Sequence, residues 1–233
     1  MDKQFSKEEV AEKVLEQYDE EQTRIFYTYV MGGGGNDIHF GIYRDPTDGV
    51  KESANRTTEW MMTQMDMAKE ITKDMHVLDV GSGHGGGSHA MAKKFGCKVT
   101  GINIGPGQNA MNVAKAKELG LEHLIDAVVG NIDEPLPEEW TGKFDAIWSC
   151  EVLCHAGDKL ALFKELYRCL KPGGAFVFSD ICGADGADEK ALKAFTDRNA
   201  TTFMGRPSQY IEYIKDSGFT YVNWWDGSNH LER

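Results

Sequence analysis

"VLDVGSGHGGG", Val77–Gly87, is the stretch on which the fold turns. A short apolar run ends in glycines at 81, 83 and 86, so G-x-G-x-x-G directly follows a predicted strand. Glycine lets such a turn take left-handed backbone conformations and approach a ligand closely. The spacing by itself is shared by several cofactor classes; its neighbour Asp79, two residues before Gly81, narrows the choice. A carboxylate at the end of a strand can accept backbone N–H bonds or meet a positively charged cofactor end, and it sits poorly against a pyrophosphate of the same sign. The stretch therefore suits a cofactor with an amino-acid moiety better than a dinucleotide. Asp79, Gly81, Ser82 and Gly83 are its candidate contacts.

Working outward, the same alternation continues. "SHAMAKKFG" reads as a helix closed by Gly96, "KVTGINIG" as a strand, "QNAMNVAKAKELG" as a helix ended by Gly120, and "IDAVVGN" as a third strand. "FDAIWSC" is a fourth strand, "DKLALFKELYRCL" a helix stopped by the breaker "KPGG", and "AFVFSD" a fifth strand. "DEKALKAFTDRNATTF" and "PSQYIEYIKDSG" read as helices, and "FTYVNWW" as a sixth strand. Short β-branched and aromatic runs alternating with helices predict βαβ units: an α/β fold with a doubly wound, mostly parallel sheet. Upstream, Ser6 and Glu9 form a capping box before Val10, Val14, Leu15 and Tyr18. A longer helical pattern from about Val50 to Ile71 carries Trp60, Met61, Met65 and Met67, read as core filler. This divides the chain into an N-terminal helical cap with a lid segment (1–73) and a cofactor-binding core (74–233).

Ligands of open α/β sheets bind at the carboxyl ends of the strands. The second predicted strand ends in Asn103, where an acidic residue for ribose hydroxyls is expected; Asn can donate and accept but loses the charged bidentate acceptor. The third ends in Asn131-Ile132, a pair suited to an adenine edge and face. The fourth ends in "WSCEVLCHAGD", which brings Trp148, Ser149, Glu151 and His155 toward the same crevice. A dehydrogenase is the competing use of the glycine spacing, and Asp79 and the absence of an acid at 103 count against it.

Composition sets outer limits. A net charge of −12 argues against a nucleic-acid partner, and no apolar run approaches the roughly 20 residues of a membrane span. The acidic, interrupted N-terminus is unlike a signal peptide. Five scattered cysteines suit a reducing, cytoplasmic compartment. Cys150, Cys154 and His155 lack a fourth ligand at metal-site spacing, so no metal is expected. A small molecule is the expected partner.

The succession "VLDVGSGHGG", "GINIGPGQN", "FDAIWSCEVLCHAGD" and "LKPGGAFVFSD" resembles the class I S-adenosylmethionine-dependent methyltransferases. "RIFYTYVMGGGGNDIHFGIYRDP" followed by "ESANRTTEW" resembles, more narrowly, the sarcosine/dimethylglycine N-methyltransferases of glycine betaine synthesis. The resemblance implies a Rossmann-like core and methyl transfer from S-adenosyl-L-methionine to sarcosine and dimethylglycine, releasing S-adenosyl-L-homocysteine. It adds Ile104, Gln108 and Ser149 to Asp79, Gly81, Ser82, Gly83, Asn103, Asn131 and Ile132 as cofactor contacts. Met31 replaces the Trp usual in this subgroup, and the family's closing antiparallel strand is not evident before "WWDGSNHLER".

Methyl transfer also sets requirements for the acceptor side. The amine must arrive unprotonated, and Glu151 or His155 is a candidate proton acceptor, with water an equal alternative. A quaternary ammonium product suits aromatic walls, for which Phe26, Tyr27, Tyr29, Tyr43 and Trp148 are available. A substrate carboxylate suits an Arg fork, and Arg56 is the candidate. "MGGGGNDIHFGIY", Met31–Tyr43, lacks a strand–helix frame. It is read as a glycine hinge and lid that lays His39 and Tyr43 over donor and acceptor.

Overall fold

The computed structural model describes residues 6–198, 201 and 203–230. Five parallel strands form one sheet: β1 (His76–Val80), β2 (Lys98–Asn103), β3 (Ile125–Val129), β4 (Phe144–Cys150) and β5 (Leu170–Ser179), in the order β3-β2-β1-β4-β5. The strands are recognisable in sequence because both sheet faces are covered, which makes them nearly continuous apolar runs. Alternate residues serve two cores. Leu78, Val80 and Ile147 pack with Phe163 and Leu166, while Val77, Ala146 and Trp148 pack with Met61, Met65 and Met91 on the opposite face.

Helices α1 (Lys7–Tyr18), α2 (Glu21–Phe26) and α3 (Val50–Ala68) precede β1. The expected capping box opens α1, with Ser6 Oγ accepting from Glu9 N–H and Glu9 reaching back to Ser6 N–H. One π-helical turn, Tyr27–Met31, follows α2 and runs into the glycine segment, where Gly33 and Gly34 take positive φ. Helix α3 packs on β5 and buries Met61, Met62 and Met65 against one face of the sheet. Met67 departs from the expected core role and stands 77% exposed.

The remaining helices are α4 (Gly86–Phe95), α5 (Pro106–Glu118), α6 (Lys159–Cys169), α7 (Glu189–Arg198) and α8 (Pro207–Asp216). Gly96 and Gly120 adopt left-handed backbone just past α4 and α5, as their positions predict. Two expectations are corrected. "KPGG" ends α6 but then belongs to β5, as a bulge between the pairs Phe144↔Leu170 and Ala146↔Ala175 that accommodates Pro172 and a positive-φ Gly173. "FTYVNWW" (Phe219–Trp225) forms no strand. A strand exists only through its ladder, and no described residue pairs with this segment; Tyr221, Trp224 and Trp225 stay exposed. The predicted helix 188–203 is helical over Glu189–Arg198; Asn199, Ala200 and Thr202 lie outside the described residues.

Candidate active site

A cavity of about 310 Å³ opens at the carboxyl ends of β1, β2, β3 and β4 and is roofed by α1 and residues 36–40. Its floor is the turn between β1 and α4. Gly81 and Gly83 take positive φ there, and a Cβ on Gly81 would lie 2.3 Å from a methyl of Val152. Glycine is thus required both by the turn and by the close approach of the loop after β4. Ser82 Oγ and both His84 ring nitrogens are buried without a partner at this cavity.

Asp79 is buried beneath the turn and accepts from Ser88 Oγ at 2.6 Å, with the Ser88 backbone N–H also turned to it. Burial pushes its carboxyl up to about 7, against the opposing hydrogen bond from Ser88. Along the strand ends, Asn103 Nδ2 donates to Gln108 Oε1 at 2.9 Å, and Asn131 Oδ1 accepts from Asp133 N–H at 3.0 Å. Asn103, Ile104, Gln108, Asn131 and Ile132 all line the cavity.

The segment after the glycine run closes the site by specific bonds. Phe40 N–H is held by both oxygens of Glu151, at 3.0 and 3.1 Å, and Thr57 Oγ1 donates to Phe40 O. Glu151 is the sole non-glycine residue with positive φ among the described residues, and it stands at the end of β4. Burial lifts its carboxyl to about 7, opposed by His39 and by the Phe40 N–H. His39 Nε2 lies 3.1 Å from Thr58 Oγ1 and 3.5 Å from Asp37 Oδ1. Burial presses the His39 imidazole toward neutrality, but the Cys150 sulfur and the Asp37 carboxylate outweigh it and hold its pKa above the ordinary value. Asp37 in turn lies directly against Gly86, where any Cβ would collide with its carboxylate.

Helix α1 is pinned across the opening at both ends. Lys7 Nζ donates to Asp133 O at 2.6 Å, and Tyr18 Oη lies 3.4 Å from His155 Nε2. Asp19, just past α1, accepts from Gly107 and Gln108 N–H at 3.1 and 2.7 Å, capping α5 from 88 residues away.

Of the residues singled out by sequence, His39, Glu151, His155, Tyr27, Asp79, Gly81, Ser82, Gly83, Asn103, Ile104, Gln108, Asn131 and Ile132 line this one cavity. Four do not. Tyr29 projects outward, 70% exposed, and Tyr43 lies beyond the lining. The Arg56 fork is filled by Asp48, at 2.6 and 3.1 Å, by Glu52 and by Ile42 O, so it ties the 42–48 turn to α3. Ser149 is fully buried and donates to Val80 O at 3.0 Å, joining β4 to β1. Conversely, Tyr18, Asp37, Phe40, His84, Asp133, Cys150 and Arg198 line the cavity without having been singled out. Asp37, Phe40, His84, Asp133 and Cys150 lie within or beside the quoted stretches, so their places were local; Tyr18 and Arg198 reach the cavity through long-range packing.

Five parallel strands in this order, with a glycine turn after β1 and a crevice where the connections diverge on either side of it, define a class I methyltransferase fold. The methyltransferase domain family matches residues 78–178. The sarcosine/dimethylglycine N-methyltransferase of Halorhodospira halochloris is 32% identical over 226 residues, covering 97% of this chain and 78% of that protein. The enzyme of the same name from Aphanothece halophytica is 31% identical, covering 95% and 78%. Among solved structures, a putative sarcosine dimethylglycine methyltransferase from Galdieria sulphuraria superposes with a TM-score of 0.77 at 32% identity, over 84% of this chain and 72% of that one. The chain belongs to the methyltransferase family of these proteins and is an S-adenosylmethionine-dependent enzyme. The oxidoreductase alternative falls away. The cavity fits that cofactor: a buried acid stands behind a positive-φ glycine turn, with unpartnered Ser82 and His84 polar atoms beside it.

Proposed function

We propose that this enzyme methylates the nitrogen of sarcosine and dimethylglycine, the last steps toward glycine betaine. The observation that carries the reading is the joining of two features in one cavity: the glycine turn of the methyltransferase core and the 36–40 lid, which lies in the stretch most particular to this subgroup. The similarity to the enzymes above, over nearly the whole chain, supports it.

When bound, S-adenosylmethionine supplies a methyl group on a sulfonium centre and leaves as S-adenosylhomocysteine. Asp79 and the Gly81–Gly83 turn would hold its amino-acid end, Asn103 and Gln108 its ribose, and Asn131 and Ile132 its adenine. Tyr18, Tyr27 and Phe40 offer faces to a cationic amine and its quaternary product. Closure by α1 and the lid removes water, which favours the neutral, nucleophilic amine. Glu151, with its carboxyl near neutrality and its place in the lining, is suited to accept the amine proton, with His39 and His155 alongside.

We further read residues 1–73 as a cap and lid on a 74–233 core. No described helix is long and apolar enough to cross a membrane. The five cysteines, none paired in a disulfide, support a cytoplasmic setting.

A methyl-transfer assay against glycine, sarcosine, dimethylglycine and unrelated amines tests the reading. Turnover of sarcosine and dimethylglycine is expected. S-adenosylhomocysteine released with some other acceptor, but with neither of these, overturns the assignment in favour of a different N-, O- or C-nucleophile.

A further inference from the structure

The cavity is lined by more carboxyl groups than Lys or Arg side chains. Asp37, Asp79, Asp133 and Glu151 line it, and Arg198 is the one Lys or Arg that does so among the described residues. Such a lining welcomes an ammonium or sulfonium but repels the carboxylate of an amino-acid acceptor. If the acceptor is as proposed above, its carboxylate needs a dedicated cation, and Arg56 does not supply it.

His84 lines the cavity unpartnered, but burial holds its ring below the usual pKa and so favours the neutral form. The other basic groups near the site are engaged. Arg24 is held by Asp19, Lys7 Nζ donates to Asp133 O, and the His39 ring is held between Asp37, Thr58 and Phe40 O. The exposed Arg198 guanidinium makes no hydrogen bond or ion pair with any described residue. It stands in the last turn of α7, one helical turn after Phe195, and the two residues line the same cavity together with Ile181. That wall pairs an aromatic ring with a guanidinium that has no partner among the described residues, which is the combination a molecule with a methylated nitrogen and a carboxylate would use.

Building on that reading of the acceptor, we infer that Arg198 is the carboxylate anchor and the residue that selects amino-acid acceptors over simple amines. Its planar fork takes a carboxylate bidentately, and S-adenosylmethionine carries a carboxylate of its own, so KM for each substrate tells acceptor anchoring from cofactor anchoring.

The test compares dimethylglycine with N,N-dimethylethylamine, which has the same nitrogen and no carboxylate, in the wild-type enzyme, Arg198→Ala and Arg198→Lys. Arg198→Ala is expected to raise KM for dimethylglycine at least roughly tenfold, the loss of one charge-assisted interaction. KM for S-adenosylmethionine and kinetics or inhibition with the carboxylate-free amine stay within twofold, and Arg198→Lys falls between. An unchanged KM for dimethylglycine overturns the proposal, as does equal weakening of both probes. If the wild-type enzyme instead methylates another carboxylate-bearing amine and Arg198→Ala raises that KM, the anchor stands and the named acceptors fall. If it methylates only carboxylate-free amines, both fall.

Discussion

Replacing Asp79 by Asn should make the ligand-free protein more stable at neutral pH while impairing cofactor binding. Asp79 is buried with Ser88 as its hydrogen-bonding neighbour, and its carboxyl lies at about 7 against an ordinary 3.8. At about 1.4 kcal/mol per tenfold change in proton affinity, keeping it ionised costs the empty fold up to about 4 kcal/mol. The sign follows from proton binding. The native state holds this proton more tightly than the unfolded chain, so the contribution to stability is most favourable below 3.8 and is lost as pH rises to about 7. Asn keeps the shape and removes the charge. Glu151 and Asp180, also lifted to about 7 and about 6 by burial, are common to both proteins and cancel in the comparison. Thermal unfolding of both proteins, ligand-free, at pH 5 and pH 8 reads the effect. For a chain of this size 1 kcal/mol moves Tm by roughly 2–4 °C, so the variant should gain several degrees on the wild type between the two pH values. Its affinity for S-adenosylmethionine should fall at least roughly tenfold, because the charged partner of the ammonium is gone. A variant less stable than the wild type by the same margin at both pH values would refute this, since Asp79 would then act only as the Ser88 acceptor.

Other perturbations separate the remaining roles. Asp19→Ala removes the distant cap on α5 and should cost about 1 kcal/mol in a denaturant titration, with a faster S-adenosylhomocysteine off-rate in stopped flow. An unchanged off-rate would place α1 outside the exchange path. Arg56→Ala should lower Tm by leaving Asp48 without its partner, yet leave acceptor KM within twofold in steady-state kinetics. Glu151→Gln retains an acceptor for Phe40 N–H but not the base, so kcat should fall by roughly 100-fold with cofactor KM nearly constant. An unchanged kcat assigns the proton to water. Met61→Ala should cost about 2–5 kcal/mol in the same titration, because the side chain is completely buried.

The core was legible in the sequence because its signals are local. Glycines at 96 and 120 mark helix ends by their own backbone freedom, the Ser6–Glu9 box lies within one helical turn, and doubly buried strands announce themselves as apolar runs. The cofactor side of the site followed, since a parallel sheet fixes where its strand ends point. The acceptor side did not follow. Arg56 looked free until Asp48, eight residues earlier in the chain, was found folded back onto it. Ser149 occupies the expected position but its hydroxyl is used by Val80 O. Tyr18 and Arg198 reach the cavity, and Asp19 reaches the start of α5, through the packing of distant elements, which no spacing records. "FTYVNWW" shows the same limit from the other direction: strand propensity without a neighbouring strand leaves aromatic side chains in solvent.

The roof formed by α1 also bears on how fast the enzyme can turn over. If the Asp19→Ala off-rate rises, twelve residues of helix, fastened by a lysine at one end and an aspartate just past the other, loosen for a bulky nucleoside to come and go. Exchange then resembles a small unfolding event, paced by how often one short helix lifts from its seat. The aspartate's hold on a helix end weakens as salt screens it, whereas the apolar underside of Val10 and Val14 does not depend on ionic strength in that way. Salt would therefore quicken the opening of this roof without dissolving it, making ionic strength a throttle on product release built into residues 7–19.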